Sequence, residues 1–298
     1  MHTLRGIAVL LLISASTIVL CAPLYLIGLL RFVSPASLRR RMNRTMDAIV
    51  QFWVGGNRAI FALLGVTRVN ECWKGEAELS TERWYLVISN HQSWADILIL
   101  QNLFRGRVPT LKFFTKRELI WVPLIGVAMW FLGFPYVRRL SRERITADPS
   151  LARLDREAAL DACRGFRDHP STVLAFLEGT RFTAAKRAAQ QPRFAHLLNP
   201  KLGGVSYVVT ALHDRLHKVL DVTLVYPDGV PTFWELICGH CPQVDISVDV
   251  RDLPESALQS DDSDLVRERL RPWVETLWQT KDRFLDGEGN RHGDGLAN

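Results

Sequence analysis

Apolar and polar positions divide the chain into a front segment that reads as membrane-facing helix and a longer stretch in which short apolar runs alternate with helical periods. From Gly6 to Leu30 the chain carries 25 consecutive uncharged residues. A helix needs about 20 apolar residues to cross the hydrocarbon core of a bilayer, so this stretch is long enough to span. The apolar part of a cleaved signal peptide is shorter, about 7–15 residues. The small residues Ser14-Ala15-Ser16 would fall inside the run, and Cys21 does not follow the small residue of a lipoprotein signal. The pattern predicts a retained anchor. Pro23 and Pro35, near its far end and just beyond it, leave a full span and a half-inserted hairpin both open. A second apolar region, Met46 to Val69, is interrupted by Gly55, Gly56, Asn57 and Arg58 and predicts an amphipathic helix or helix pair lying on the membrane. Leu119 to Val137 holds 19 uncharged residues, but Pro123, Gly126, Gly133 and Pro135 break it. It reads as buried or membrane-facing parts of a globular domain rather than a span.

Beyond about Arg83 the rhythm changes. Trp84 to Ser89, Thr172 to Leu177 and Val219 to Tyr226 are short apolar strand candidates. Val244, Ile246, Val248 and Val250 alternate with Asp245, Ser247 and Asp249, which predicts a half-exposed strand. Asp148-Pro149 is a helix start, an N-cap followed by proline at the first helical position, with Leu151, Leu154, Ala158 and Ala162 on one face. Asp264 to Phe284 predicts a late helix striped by Val266, Leu270, Trp273, Val274 and Leu277, despite Pro272. Strands alternating with helices give an α/β class, a mixed central sheet flanked by helices. The expected organisation is membrane-anchoring helices over 1–70, an α/β domain over 71–285, and a Gly-rich, charged, disordered tail over 286–298.

Composition narrows the setting without choosing a partner. Hydrophobic residues at 48% against 23% charged are enough for a buried core. Five scattered cysteines suit a reducing compartment better than a disulfide-stapled fold. The net charge of +6 favours anionic partners. One arginine, Arg5, precedes the apolar run, whereas Arg31, Arg39, Arg40, Arg41 and Arg44 follow it. The positive-inside tendency therefore puts the bulk of the chain on the cytoplasmic side, at the inner membrane if the source is bacterial. Nucleic acid is not an expected partner: the basic residues flank apolar segments and no recognition motif occurs.

Two segments carry candidate chemistry. Asn90-His91-Gln92-Ser93-Trp94-Ala95-Asp96 follows the Trp84–Ser89 strand and opens an apolar helix. A carboxylate that holds one imidazole nitrogen's proton raises the basicity of the other, the basic unit of general-base catalysis. The bland alternative is that Asp96 only caps the helix and His91 is a turn residue. The Thr172–Leu177 strand ends in Glu178-Gly179-Thr180-Arg181. Ligands of open α/β sheets sit at the carboxyl ends of strands. There Gly allows close approach, Thr donates a hydrogen bond and Arg grips phosphate. An ordinary polar turn is the alternative. No Walker A loop or strand-to-helix G-x-G-x-x-G occurs.

Together these blocks resemble the first and third signatures of the glycerolipid acyltransferase family, whose best-known members are the 1-acylglycerol-3-phosphate acyltransferases. His91 and Asp96 match His-x4-Asp, and Glu178 through Arg181 match Glu-Gly-Thr-Arg. The second block is matched loosely by Gly133 to Arg139, with Tyr136 where Phe is usual, and the fourth by Val222 to Pro227. Lys116, ahead of Glu118-Leu119 and Pro123, fits the basic residue often seen before the second block. The resemblance covers roughly residues 80 to 230. Leu177, where many members have Pro before the Glu, is similar to the lysocardiolipin-type branch and its bacterial relatives.

The resemblance implies a membrane-bound O-acyltransferase. His91 would be the base and Asp96 its orienting partner. Glu178, Gly179, Thr180, Arg181, Arg139 and Lys116 would hold a lysophospholipid phosphate. The acyl donor would be acyl-CoA or an acyl carrier protein thioester, with no cofactor and no metal, and the acceptor 1-acylglycerol-3-phosphate or another lysolipid. A hydrolase using the same His–Asp pair on water, and a non-enzymatic binder of anionic lipid, are the rival readings. Cys238-Gly239-His240-Cys241 lacks the second C-x-x-C that zinc would need. His213-Asp214-x-x-His217 lacks the Glu of the helical metalloprotease signature. Asn199 to Gly204 reads as a loop beside the site rather than a phosphate cradle, with Lys201 able to touch substrate.

Overall fold

The computed structural model describes residues 1–75, 78–137 and 149–293. The chain opens with α1 (His2–Val33) and α2 (Ala36–Leu63), which fold back on each other through Ser34 and Pro35. Helix α1 is apolar all round and is long and apolar enough to cross a membrane. Its apolar side chains are largely exposed, among them Leu11, Ile18, Val19 and Leu26. Pro23 lies inside α1 without ending it. Helix α2 runs unbroken through Gly55 and Gly56, so the second apolar region is a single helix rather than a pair. Trp53 Nε1 donates to Thr17 Oγ1 at 3.0 Å and Arg31 to Asn43 Oδ1 at 2.9 Å, tying the hairpin together.

The chain continues through β1 (Arg68–Lys74), β2 (Trp84–Ser89), α3 (Ala95–Phe104), β3 (Leu111–Phe113) and β4 (Thr115–Lys116). The broken apolar stretch forms a 3-10 turn (Arg117–Trp121), α4 (Ile125–Phe131) and β5 (Tyr136–Val137). Its α4 packs on the hairpin, where the Phe131 ring occupies the space that a Cβ at Gly28 would need. After α5 (Pro149–Arg164) come β6 (Thr172–Phe176), α6 (Ala184–Gln190), α7 (Gly203–Leu212), β7 (Leu216–Val225), α8 (Phe233–Cys238), β8 (Gln243–Arg251), α9 (Glu255–Leu258) and α10 (Ser263–Gly293). Thus α10 extends past Leu285, over residues the sequence pattern assigned to the tail.

Six strands form one sheet in the order β1-β8-β7-β2-β6-β3, all parallel to their neighbours except β7 with β8. The sheet is mixed and lies between two apolar layers. Tyr85 and Val87 of β2 face a core shared with α3, α8, Val9 of α1 and Phe61 of α2. Leu86 and Ile88 face the other core, built with α7, α10 and Cys163 of α5. A parallel strand buried on both faces has no polar side, which is why Trp84 to Ser89 reads as an apolar run without alternation. Strand β1 shows no such signal. Its side chains are exposed except the half-buried Trp73, and it is defined by its pairing with β8.

Candidate active site

Parallel pairing builds the site from two strand ends. Ser89 of β2 is in register with Phe176 of β6, so His91 and Glu178, each two residues further, emerge side by side. Asn90 anchors the first end: its Nδ2 donates to Leu224 O at 2.9 Å, and its Oδ1 accepts from Leu224 N at 2.8 Å. His91 then leaves the sheet with its main chain held on both sides. Its N–H donates to Glu178 Oε1 at 2.8 Å and its carbonyl accepts from Phe182 N at 2.7 Å. The imidazole lies flat on the Phe176 ring, 3.9 Å between centroids.

His91 Nδ1 is 2.8 Å from Asp96 Oδ2. Asp96 is fully buried, in the first turn of α3, and its Oδ2 also accepts from the N–H groups of Gln92 (2.7 Å) and Ser93 (3.0 Å). Its Oδ1 accepts from the Tyr226 hydroxyl at 2.5 Å. Burial, and then the neighbouring Asp96 charge, push the Tyr226 hydroxyl well above its ordinary range, so it remains a donor. An ionised carboxylate only accepts hydrogen bonds. Asp96 therefore requires the proton of neutral His91 on Nδ1 and leaves the Nε2 lone pair free. Ser93 supports the turn separately: its hydroxyl donates to Pro231 O at 2.6 Å. The Pro231 loop is in turn fixed by the Thr232–Glu235 capping box of α8.

Glu178 has no exposed surface. Its second oxygen accepts from Leu198 N at 3.1 Å, so both oxygens hold main chain. Burial pushes its carboxyl up to about 7; the N–H groups of His91 and Leu198 oppose the rise, Asp96 adds to it, and Lys281 opposes it. Gly179 turns at φ +65°, its N–H bonded to Phe176 O, and a Cβ there would press on the Lys201 side chain. Thr180 Oγ1 accepts from Lys186 Nζ at 2.8 Å, and the same ammonium donates to Arg181 O. The Arg181 guanidinium lies over the half-exposed Trp94 ring at 5.0 Å. An imidazole and several cations thus stand together at the carboxyl ends of two adjacent strands.

A family model described as Acyltransferase matches residues 72–227, more than half of the chain and all of the elements just described from β2 to β7. The chain belongs to the acyltransferase family. It is 29% identical over 215 residues to the human protein named 1-acyl-sn-glycerol-3-phosphate acyltransferase delta, covering 67% of this chain and 52% of that protein. With the mouse protein named 1-acyl-sn-glycerol-3-phosphate acyltransferase gamma it shares 28% over 214 residues, again covering 67% and 52%. The chain spans about half the length of the curated relatives it matches. The crystal structure of the 1-acyl-sn-glycerophosphate acyltransferase PlsC from Thermotoga maritima has the same fold, with a TM-score of 0.55 at 16% identity, covering 96% of this chain and 99% of that one.

In this member of the family the remaining sequence-predicted residues are placed unevenly. Lys116 is exposed on β4 and pairs with Val137 of β5. Arg139, two residues on, lies outside the described residues. Lys201 is exposed, its aliphatic stem against Gly179. Among the described residues no group of three or more His, Cys, Asp or Glu is placed to hold a metal ion. Cys238 and Cys241 are buried either side of the α8 end. His213 follows α7, whereas His217 lies on β7 beside Arg83, so the His-Asp-x-x-His run is not one helix face. Sequence reasoning missed Asn90, Phe176, Tyr226 and Leu198. Tyr226 stood inside a matched block, but nothing in its spacing pointed at Asp96.

Proposed function

We propose that this acyltransferase moves a fatty acyl group from an acyl-CoA or acyl carrier protein thioester to the free hydroxyl of 1-acylglycerol-3-phosphate, giving phosphatidic acid, at the cytoplasmic face of a membrane that α1 and α2 engage. The observation that carries the reading is the buried Asp96 holding His91 Nδ1 at 2.8 Å beside the cations of the Glu178–Arg181 turn. His91 Nε2 takes the acceptor hydroxyl's proton as its oxygen attacks the thioester carbonyl. The tetrahedral intermediate collapses, the C–S bond breaks, and the departing thiolate recovers the proton from the imidazolium that Asp96 stabilises. Arg181, Lys186 and Thr180 present donors to an acceptor phosphate, with Arg139, Lys116 and Lys201 as further cations. Glu178 serves by holding the His91 main chain rather than by touching the acceptor.

The test is acyl transfer from labelled donors, CoA and carrier-protein thioesters in turn, to a panel of lysophospholipids in detergent. We expect 1-acylglycerol-3-phosphate to be the preferred acceptor and His91→Ala to lose at least about a hundredfold in rate. Thioester hydrolysis without acceptor dependence would instead indicate a hydrolase. Equal rates in wild type and variant would remove His91 from the mechanism.

A further inference from the structure

Helix α10 lies outside the residues matched by the family model, yet it is built into the back of the site. On the face of β7 that meets α10, Val219 and Val225 enclose two polar residues, Asp221 and Thr223, both buried. Lys281 of α10, itself only 2% exposed, fills that place. Its ammonium is 2.9 Å from Asp221 Oδ1 and 2.9 Å from Thr223 Oγ1, and also donates to Val222 O. The next residue of β7, Leu224, is the one clamped by Asn90 directly before His91. One turn before Lys281 on the same helix, the Trp278 indole donates to Leu198 O at 2.9 Å, and Leu198 N donates to Glu178 Oε2. Asp282 accepts the N–H groups of Ala195 and His196, fixing the approach to Leu198. Two contact paths, through Leu224–Asn90 and through Leu198–Glu178, therefore run from α10 to the His91 main chain.

We infer that Lys281, braced by Trp278, is a positioning residue of the acyl-transfer site: its buried ammonium pins β7 directly before the Leu224–Asn90 clamp, while Trp278 fixes Leu198, whose N–H holds Glu178 against the His91 main chain. Protonation of Glu178 would turn one of its oxygens into a hydroxyl, a weaker acceptor, and loosen one of the two main-chain bonds. The charged groups acting on Glu178 are Asp96 from α3 and Lys281 from α10, with the His91 imidazole, when protonated, beside them; Asp221 pairs with both Lys281 and Arg251. Asp96 works against the Glu178 charge and Lys281 works for it. For its catalytic consequence the inference rests on the function proposed above; its structural half does not.

The experiment therefore has two readouts. In protein labelled with 15N-histidine, the His91 amide reports Glu178 ionisation through their hydrogen bond; it is identified as the histidine amide whose titration disappears in Glu178→Gln. We expect its midpoint near pH 7 in wild type and at least about half a pH unit higher in Lys281→Met. The acid limb of acyl transfer should move the same way, and Lys281→Arg should restore both. Because Lys281→Met leaves Asp221 buried beside Arg251 alone, Asp221→Asn/Lys281→Met, which removes both charges, gives a second reading on a fold without that stranded carboxylate. An unchanged amide midpoint in either variant overturns the inference. A wild type without acyl transfer, but with the amide midpoint shifted in Lys281→Met, would sink the proposed activity and leave the positioning role standing.

Discussion

A carboxyl carried from water into a fully enclosed position binds its proton more tightly, and Glu178 does so, up to about 7 from an ordinary 4.5. The folded state therefore holds more protons than the unfolded one between those values, so this group's contribution to stability falls as pH rises from about 4.5 to about 7. The penalty above that window is on the order of 3 kcal/mol. Glu178→Gln cannot titrate. The difference in unfolding temperature, variant minus wild type, should therefore grow across that pH window and level off above it. Parallel pH dependence in the two proteins would show that Glu178 is not perturbed. Both oxygens of this buried carboxyl accept main-chain N–H groups, and one of them belongs to His91.

Elements are joined at the site by side chains that stand in for missing sheet bonds. Where β2 ends, Asn90 supplies an amide that completes the ladder to β7 with one donor and one acceptor, both at under 3 Å. Asn90→Ala would leave the Leu224 N–H and carbonyl unpaired in a buried position, at about 1–3 kcal/mol for each. We expect a clear drop in unfolding temperature together with a loss of acyl transfer, because the released strand end carries His91. Asn90→Ala with wild-type stability would mean that β2 and β7 do not depend on this splice. Strand β2 was legible because both of its faces are apolar. Strand β1 was not, since Arg68–Lys74 is an exposed edge whose extended form comes from β8 beside it. Of the two forms the sequence left open for the stretch around Gly55-Gly56, one helix or a pair, the structure has the single helix α2.

At the scale of the whole molecule, one end of the hairpin joins exposed apolar side chains to exposed cations. Phe32, Val33 and Leu38 stand beside Arg40, Arg41 and Arg44, all exposed, and Trp121 of the adjoining apolar stretch is 85% exposed. An apolar surface rimmed by arginine fits an anionic lipid surface. Each such arginine is worth about 1 kcal/mol near anionic headgroups, so replacing all three by Gln should weaken binding to vesicles rich in anionic phospholipid on the order of a hundredfold. Flotation at low salt measures this. At about 1 M salt the two proteins should bind alike, since screening removes the charge term and leaves the apolar one. Equal binding at low salt would take the arginines out of the membrane contact.

Spacing and residue type by themselves determined the long apolar helix, the α/β alternation, and the two blocks that hold His91, Asp96 and Glu178 to Arg181. Each is a local property: a period, a run length, or a short motif at a strand end. Tertiary structure decided everything that depends on which strand lies next to which. The β2–β6 register brings residues 91 and 178 together across most of the chain's middle. The place of β7 beside β2 carries Tyr226 to Asp96 and Leu224 to Asn90. The return of α10 sets Trp278 and Lys281 behind the segment that carries His91 and Glu178, more than 50 residues beyond the last motif. Such contacts leave no periodic trace in sequence, because their partners are fixed by packing and pairing of elements far apart in the chain.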